Sequence, residues 1–190
     1  MEKLNIGYAL TGSFCTFEKS IAQMKLIKDD GHSIIPIMSY NAYNLDTRFG
    51  RAEDIRREIE EICERKIIAT ITDAEPIGPK SLTDIMVVLP CSGNTLAKLA
   101  NGIYDTPVTL AVKSHLRNQR PVVIGVSSND SLSATAKNIG TLLNNKHYYF
   151  IPMKQDDPVK KPFSVVCDFT RLKDTIEAAF NSKQLQPMLI

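Results

Sequence analysis

Continuous apolar runs and amphipathic stretches alternate along this chain. Leu4 to Leu10 reads as a buried strand that ends in the turn Thr11-Gly12-Ser13. Phe17, Ile21, Met24 and Ile27 recur at helical spacing, and Asp30-Gly31 closes that helix. Ser33 to Met38 is a second strand, and its Pro36 predicts an edge position or a bulge. Ser39 to Gly50 reads as a polar loop. Arg51 to Arg65 reads as a helix with Ile55, Ile59 and Ile62 on one face and a solvated charged face opposite. A short strand over 67–71 and an irregular stretch over 72–82, with Pro76, Gly78 and Pro79, come next.

Ile85 to Leu89 is the clearest buried strand, and Pro90-Cys91-Ser92-Gly93-Asn94-Thr95 follows it. One helix carries Leu96, Leu99 and Ile103, and another runs from Pro107 to about Arg117. Pro121 to Val126 is a buried strand that ends in Ser127-Ser128-Asn129-Asp130-Ser131. A helix with Leu132, Ala136, Ile139 and Leu143 leads to a last short strand at Tyr148 to Ile151. Lys154 to Pro162 reads as a charged loop before a final helix over about 170–181.

Strands that are apolar throughout must be covered on both faces, and alternation with helices makes them parallel. The expectation is a single α/β domain spanning residues 1–190, a Rossmann-like doubly wound parallel sheet in three α/β/α layers. In such sheets ligands bind in the crevice beyond the strand C-termini.

Composition narrows the function classes. The chain has 190 residues, with 43% hydrophobic and 23% charged positions, as in an ordinary globular domain. The net charge of +2 leaves no footprint for nucleic acid or a membrane surface. No run approaches the roughly 18 apolar residues of a membrane span. Glu2, Lys3 and Asn5 interrupt any secretory leader, so a cytoplasmic location is expected. Cys15, Cys63, Cys91 and Cys167 form no paired spacing and do not cluster with histidine. No metal site is expected, and the cysteines read as free thiols.

Three strand ends finish in small polar residues: Thr11-Gly12-Ser13, Ser92-Gly93-Asn94-Thr95 and Ser127-Ser128-Asn129. Parallel strands bring them to one edge. Helix N-termini there offer unpaired N–H groups and a positive dipole end, glycines let backbone approach a ligand, and hydroxyls donate. Taken singly, each loop is equally a set of helix caps; the coincidence of three points to a phosphate-bearing ligand. Ser39, after the second strand, is a further donor. No G-x-G-x-x-G or G-x-x-x-x-G-K-[ST] occurs, and Met38-Ser39-Tyr40 carries no acid for an adenosine ribose, which disfavours a dinucleotide site. His32 reads as a surface residue, His115 and His147 as structural, and Cys91 as a buried small residue. Arg48, Lys80, Lys113 and Arg117 are the cations that could meet an anionic substrate.

The run Pro90 to Ile103 resembles the P-A-S-A-N-T-x-x-K-x-A-N-G-I signature of the FMN-binding flavoproteins, the family of the cysteine decarboxylases. Thr11-Gly12-Ser13 is similar to that family's first phosphate loop. The resemblance implies FMN held by Thr11, Gly12, Ser13, Ser39, Ser92, Gly93, Asn94 and Thr95, with Asn129 facing the ring or substrate. It also implies a homo-oligomer, with threefold symmetry, in which the segment 39–50 reaches a neighbour.

A narrower resemblance is carried by Glu75 to Lys80, Val126 to Asp130 and Ile151 to Pro158. They are similar to a branch of the family that forms one subunit of a two-subunit oxidoreductase of sporulating bacteria. That branch implies a small dicarboxylate substrate and a partner A subunit carrying NADP; by residue type, Lys80 and Lys113 are the candidate contacts to the carboxylates. The decarboxylases place a histidine about a dozen residues before the central strand, where this chain reads Ala74-Glu75-Pro76-Ile77-Gly78. Their P-x-M-N is here Val126-Ser127-Ser128-Asn129. Two other readings stand beside the oxidoreductase: an FMN-dependent decarboxylase and a non-catalytic ligand-binding subunit.

Overall fold

The computed structural model describes residues 3–190. In chain order it contains β1 (Asn5–Leu10), α1 (Phe17–Asp29), β2 (Ser33–Met38), α2 (Tyr40–Asn44), α3 (Ala52–Cys63), α4 (Ile71–Ala74) and β3 (Ile85–Cys91). Then follow α5 (Gly93–Ala100), α6 (Pro107–Leu116), β4 (Val122–Ser128), α7 (Ala136–Leu143), β5 (Tyr148–Phe150), β6 (Met153–Asp157), β7 (Lys161–Cys167) and α8 (Leu172–Phe180). The parallel strands lie in the order β2-β1-β3-β4-β5. The crossover direction reverses between β1 and β3, the switch point at which doubly wound sheets bind ligands.

Side-chain alternation builds the three layers. Ile6, Tyr8 and Leu10 of β1 and Val87 and Leu89 of β3 enter one core with α1, α3 and α8. Ala9, Met86, Val88 and Ile124 enter the other core with α5, α6 and Leu142 of α7. Each strand residue therefore meets helix on one face or the other, which is why the strands carry no polar period. Pro36 sits where its chemistry requires. β2 is an edge strand, and the Met38 N–H, on the outer side with Pro36, finds the Ile68 carbonyl at 2.9 Å. A proline on that side forfeits only one edge bond.

Four local expectations are corrected. The stretch 67–71 contributes only a single bridge, Ile37 to Ile68. The loop 39–50 contains the short helix α2, capped by Ser39. The helix expected from Leu132 begins at Ala136, because the preceding turn is organised around Asp130. Ser128 Oγ and Thr135 Oγ1 donate to that carboxylate at 2.5 and 2.9 Å, and the Ser133 and Thr135 N–H groups donate to the Asp130 carbonyl at 3.0 and 3.2 Å. Finally, the charged loop 154–162 lies mostly in a β-hairpin. β6 and β7 pair antiparallel, and β7 continues onto β4 at Ser127 and Ser128. The sheet is thus mixed. The hairpin was illegible because Lys154, Gln155 and Asp156 are all exposed, so no apolar alternation marks β6.

His32 is buried rather than at the surface: its Nδ1 accepts the Leu4 N–H at 3.2 Å. His115 is fully buried. Its Nε2 donates to the Pro121 carbonyl at 3.0 Å, which leaves Nδ1 to accept the Thr83 hydroxyl at 2.7 Å. Burial pushes the His115 imidazole down to about 4, and burial moves His32 in the same direction. An unfolded histidine titrates near 6.5. Between those values the unfolded chain binds more protons, so stability is complete above about pH 6.5 and falls as pH is lowered towards 4. The His115 contribution alone lowers stability by about 2 kcal/mol from pH 7 to pH 5. A melting temperature lower by about 4–8 °C at pH 5 is expected, with a flatter profile in His115→Gln. An unchanged profile in that variant would assign the pH dependence to other groups.

Candidate functional site

A cavity of ≈ 860 Å³ opens where the first, third and fourth strands end. Its strand-end wall is Gly12 and Ser13 after β1, Ser92 to Asn94 after β3, and Ser127 to Asp130 at the end of β4. The rest of the lining includes Lys19 of α1, Arg48 and Phe49 from the segment before α3, and Asp156, Lys161 and Ser164 of the hairpin.

Thr11 ties the strand-end wall together from behind. It is fully buried, its hydroxyl donates to the Pro90 carbonyl at 2.8 Å, and its Oγ1 accepts the Ser92 N–H at 2.9 Å. Ser13 Oγ donates to the Ser127 carbonyl at 2.5 Å, which joins the β1 loop to β4. Ser92 is the N-cap of α5; its Oγ accepts the Thr95 N–H at 3.4 Å and lies 3.2 Å from the Thr95 hydroxyl. Gly93 is required by packing. A β-carbon there would come within 2.7 Å of Asp130 Oδ1 and of Ser128 Oγ, and 2.9 Å of Thr135 Oγ1. Gly12 is different: only Phe14 Cε2, at 3.8 Å, would meet its β-carbon, so this backbone is open to the cavity.

The structure brings Gly12, Ser13, Ser92, Gly93, Asn94 and Asn129 into the wall. Thr11 and Thr95 are buried behind it. Ser39 lies on the neighbouring turn, its N–H donating to the Leu10 carbonyl at 3.0 Å and its Oγ capping α2. Lys80 and Lys113 do not line the cavity. Lys80 borders a shallow groove with Asn5, the first residue of β1 and so at the opposite edge of the sheet. Lys113 is on α6, and its ammonium sits 5.1 Å from the centroid of the Tyr104 ring. Lys19, Cys15 and the hairpin residues carry no motif that marks them in the sequence; among the lining cations only Arg48 was a candidate.

The walls carry different electrostatics. The strand-end wall has N–H and hydroxyl groups and one acid, Asp130, whose oxygens are already occupied by Ser128 and Thr135. The rest of the lining has three cations, of which Lys161 is paired with Asp156 at 2.6 Å. That contact holds the Lys161 pKa above its usual range. No histidine lines the cavity. Cys91 is fully buried outside it, and burial pushes its thiol well above the usual range, so it carries no thiolate. Among the described residues no group of His, Cys, Asp and Glu could hold a metal, and no helix is long and apolar enough to cross a membrane.

The Flavoprotein family model matches residues 1–183. The chain belongs to the flavoprotein family. This flavoprotein is 42% identical over 185 residues to the B subunit of dipicolinate synthase from Bacillus subtilis, covering 97% of this chain and 92% of the relative. It also matches the crystal structure of the Bacillus halodurans dipicolinate synthase B subunit, with TM-score 0.90, 40% identity, and 98% and 96% of the two chains covered. The fold extends to the Burkholderia xenovorans protein DmrB, solved in complex with FMN and described as a cubic cage for redox transfer. That match has TM-score 0.69 and 16% identity, and covers 93% of this flavoprotein and 94% of DmrB. The narrower resemblance carried by residues 75–80, 126–130 and 151–158 thus agrees with the first two relatives.

Proposed function

We propose that this flavoprotein is an FMN-holding subunit of an oxidoreductase that forms dipicolinate from a dihydrodipicolinate-level precursor, acting with a partner A subunit that carries NADP. The observation that carries the reading is the convergence of the Gly12-Ser13 and Ser92-Gly93-Asn94 loops on one cavity wall at the β1/β3 switch point. The donor set fits a phosphate monoester. The backbone at Gly12 is open, and the N-terminus of α5 presents its first N–H groups and its positive dipole end. Asp130 disfavours an anion at the Ser128 end of the wall, so the phosphate is assigned to the Gly12–Ser92 end, with Ser39 on the adjoining turn as a further donor.

FMN supplies two-electron redox chemistry when bound. The chain's own residues bind and orient. The backbone at Gly12, with Ser92 and Asn94, holds the phosphate and ribityl groups, Thr11, Ser13 and Thr95 fix the loops that present them, and Asn129 faces the ring or the substrate. No dinucleotide fingerprint follows β1, so the pyridine nucleotide belongs to the partner.

The lack of a cavity histidine favours this reading over a cysteine decarboxylase, and the segment 74–78 packs beside α6 instead of lining the cavity. A homo-oligomer, with threefold symmetry, is proposed with it. Tyr40 and Leu45 are exposed on the segment 39–50 that would meet a neighbour.

Two results are expected. The purified chain carries or takes up one FMN per chain, read by its absorption spectrum and by the mass of what is released on denaturation; a protein that neither carries nor takes up flavin overturns the cofactor assignment. With the purified A subunit it forms dipicolinate and NADPH, followed by ultraviolet absorption, whereas each of the two alone is inactive. Full activity of the A subunit alone would reduce this chain to an accessory, and carbon dioxide release from a C-terminal cysteine peptide would restore the decarboxylase.

A further inference from the structure

The lining of the cavity carries cations in addition to the strand-end donors assigned to the phosphate. Two of its cations, Lys19 and Arg48, have no carboxylate within ion-pair distance among the described residues, whereas Lys161 has Asp156. Unpaired cations that line a cavity are poised for an anion. The Arg48 guanidinium lies 4.8 Å from the centroid of the Phe49 ring, and Phe49 also lines the cavity with 49% of its surface exposed. Stacking on an aromatic face leaves the N–H edges of a guanidinium free, in the fork geometry that grips a carboxylate with two parallel bonds.

We infer that Arg48 is the specificity-determining residue for a planar dicarboxylate substrate, with Lys19 meeting the second carboxylate and Phe49 offering an apolar face to the ring. The inference deepens the function proposed above and rests on it for the identity of the ligand. Two uncommitted positive charges match two carboxylates. A monocarboxylate leaves one cation unpaired, and a neutral ring leaves both, so the wall discriminates by charge count as well as by shape. Asp130 at the end of β4 repels a dianion there, which favours Arg48 and Lys19 as its partners. Lys161 is a weaker candidate because its charge is already met. Lys80 and Lys113 are excluded from this role by position.

The test is calorimetric titration of the FMN-loaded chain with pyridine-2,6-dicarboxylate and with pyridine-2-carboxylate. The parent protein should bind the dicarboxylate at least about tenfold more tightly than the monocarboxylate. Arg48→Gln should weaken the dicarboxylate by about 10- to 100-fold, the range for a lost charged hydrogen-bond pair. Arg48→Lys, which keeps the charge and loses the fork, should still lose about tenfold. FMN affinity, measured separately by quenching of flavin fluorescence, and the melting temperature should stay at parent values in both variants, and Lys80→Gln should bind both ligands as the parent does. Arg48→Gln binding the dicarboxylate within twofold of the parent, or a parent with no preference between the two ligands, overturns the inference. A chain that takes up no FMN overturns the flavin reading instead, and the same titration on the flavin-free chain then still decides the role of Arg48.

Discussion

Ser92→Asp should weaken FMN binding by at least about 100-fold while leaving the fold intact. Ser92 caps α5 through its Oγ, and aspartate is as good an N-cap as serine, so the helix keeps its first hydrogen bonds. The new carboxylate is even favoured by the helix dipole in the free protein. Its effect on the ligand is opposite. Two unit charges about 4 Å apart at an effective dielectric constant of 20 repel by about 4 kcal/mol, and every 1.4 kcal/mol is tenfold in affinity. Solvent at the cavity mouth screens part of that, hence the lower bound. Titration followed by flavin fluorescence decides it, and the loss should shrink as salt is raised. Parent-like affinity in Ser92→Asp would move the phosphate away from the N-terminus of α5.

The second large effect concerns stability, and one substitution at two sites gives opposite signs. A β-carbon at Gly78 would stand 2.2 Å from the backbone carbonyl oxygen of Ser114 and 2.6 Å from its Oγ. The Gly78 N–H donates to Ser114 Oγ at 2.8 Å and its carbonyl accepts from Asn118 at 2.9 Å, so α6 is held against this segment from both sides. Backbone cannot rotate away as a side chain can. Gly78→Ala should cost about 3 kcal/mol, the upper part of the overpacking range, and lower the melting temperature by about 6–12 °C. Gly140 lies on α7, and a methyl group added there would meet nothing within 4 Å. Gly140→Ala should stabilise by about 0.5–1 kcal/mol through helix propensity and a stiffer unfolded chain. Equal melting temperatures for the two variants would contradict the close packing of residues 75–78 on α6.

Much of this architecture was legible from residue types in order. The buried strands β1, β3 and β4 are apolar throughout because helices cover both faces, and that run-length signal survives without any structure. Pro36 marked either a sheet edge or a bulge, because a missing N–H is tolerated at both, and the structure shows the edge. The three small-polar strand ends marked the candidate ligand wall, since parallel strands leave their C-termini on one side. The signature from Pro90 to Ile103 marked the family.

Tertiary structure decided the rest. Whether a serine faces the cavity or holds a loop depends on partners far away in sequence, such as Thr11 with Pro90 and Ser13 with Ser127. The hairpin β6–β7 takes its strand character from pairing with itself and with β4, so no local period announced it. His32 is buried because the chain folds back at Gly31 and the Leu4 N–H needs an acceptor, which its neighbours in sequence do not reveal. A cation on a loop can be assigned to a site only when the fold shows which side of the sheet the loop is on. Lys80 and Arg48 have equal claims as residue types; β1 separates them, because its N-terminal end borders the groove of Lys80 and its C-terminal end borders the cavity that Arg48 lines.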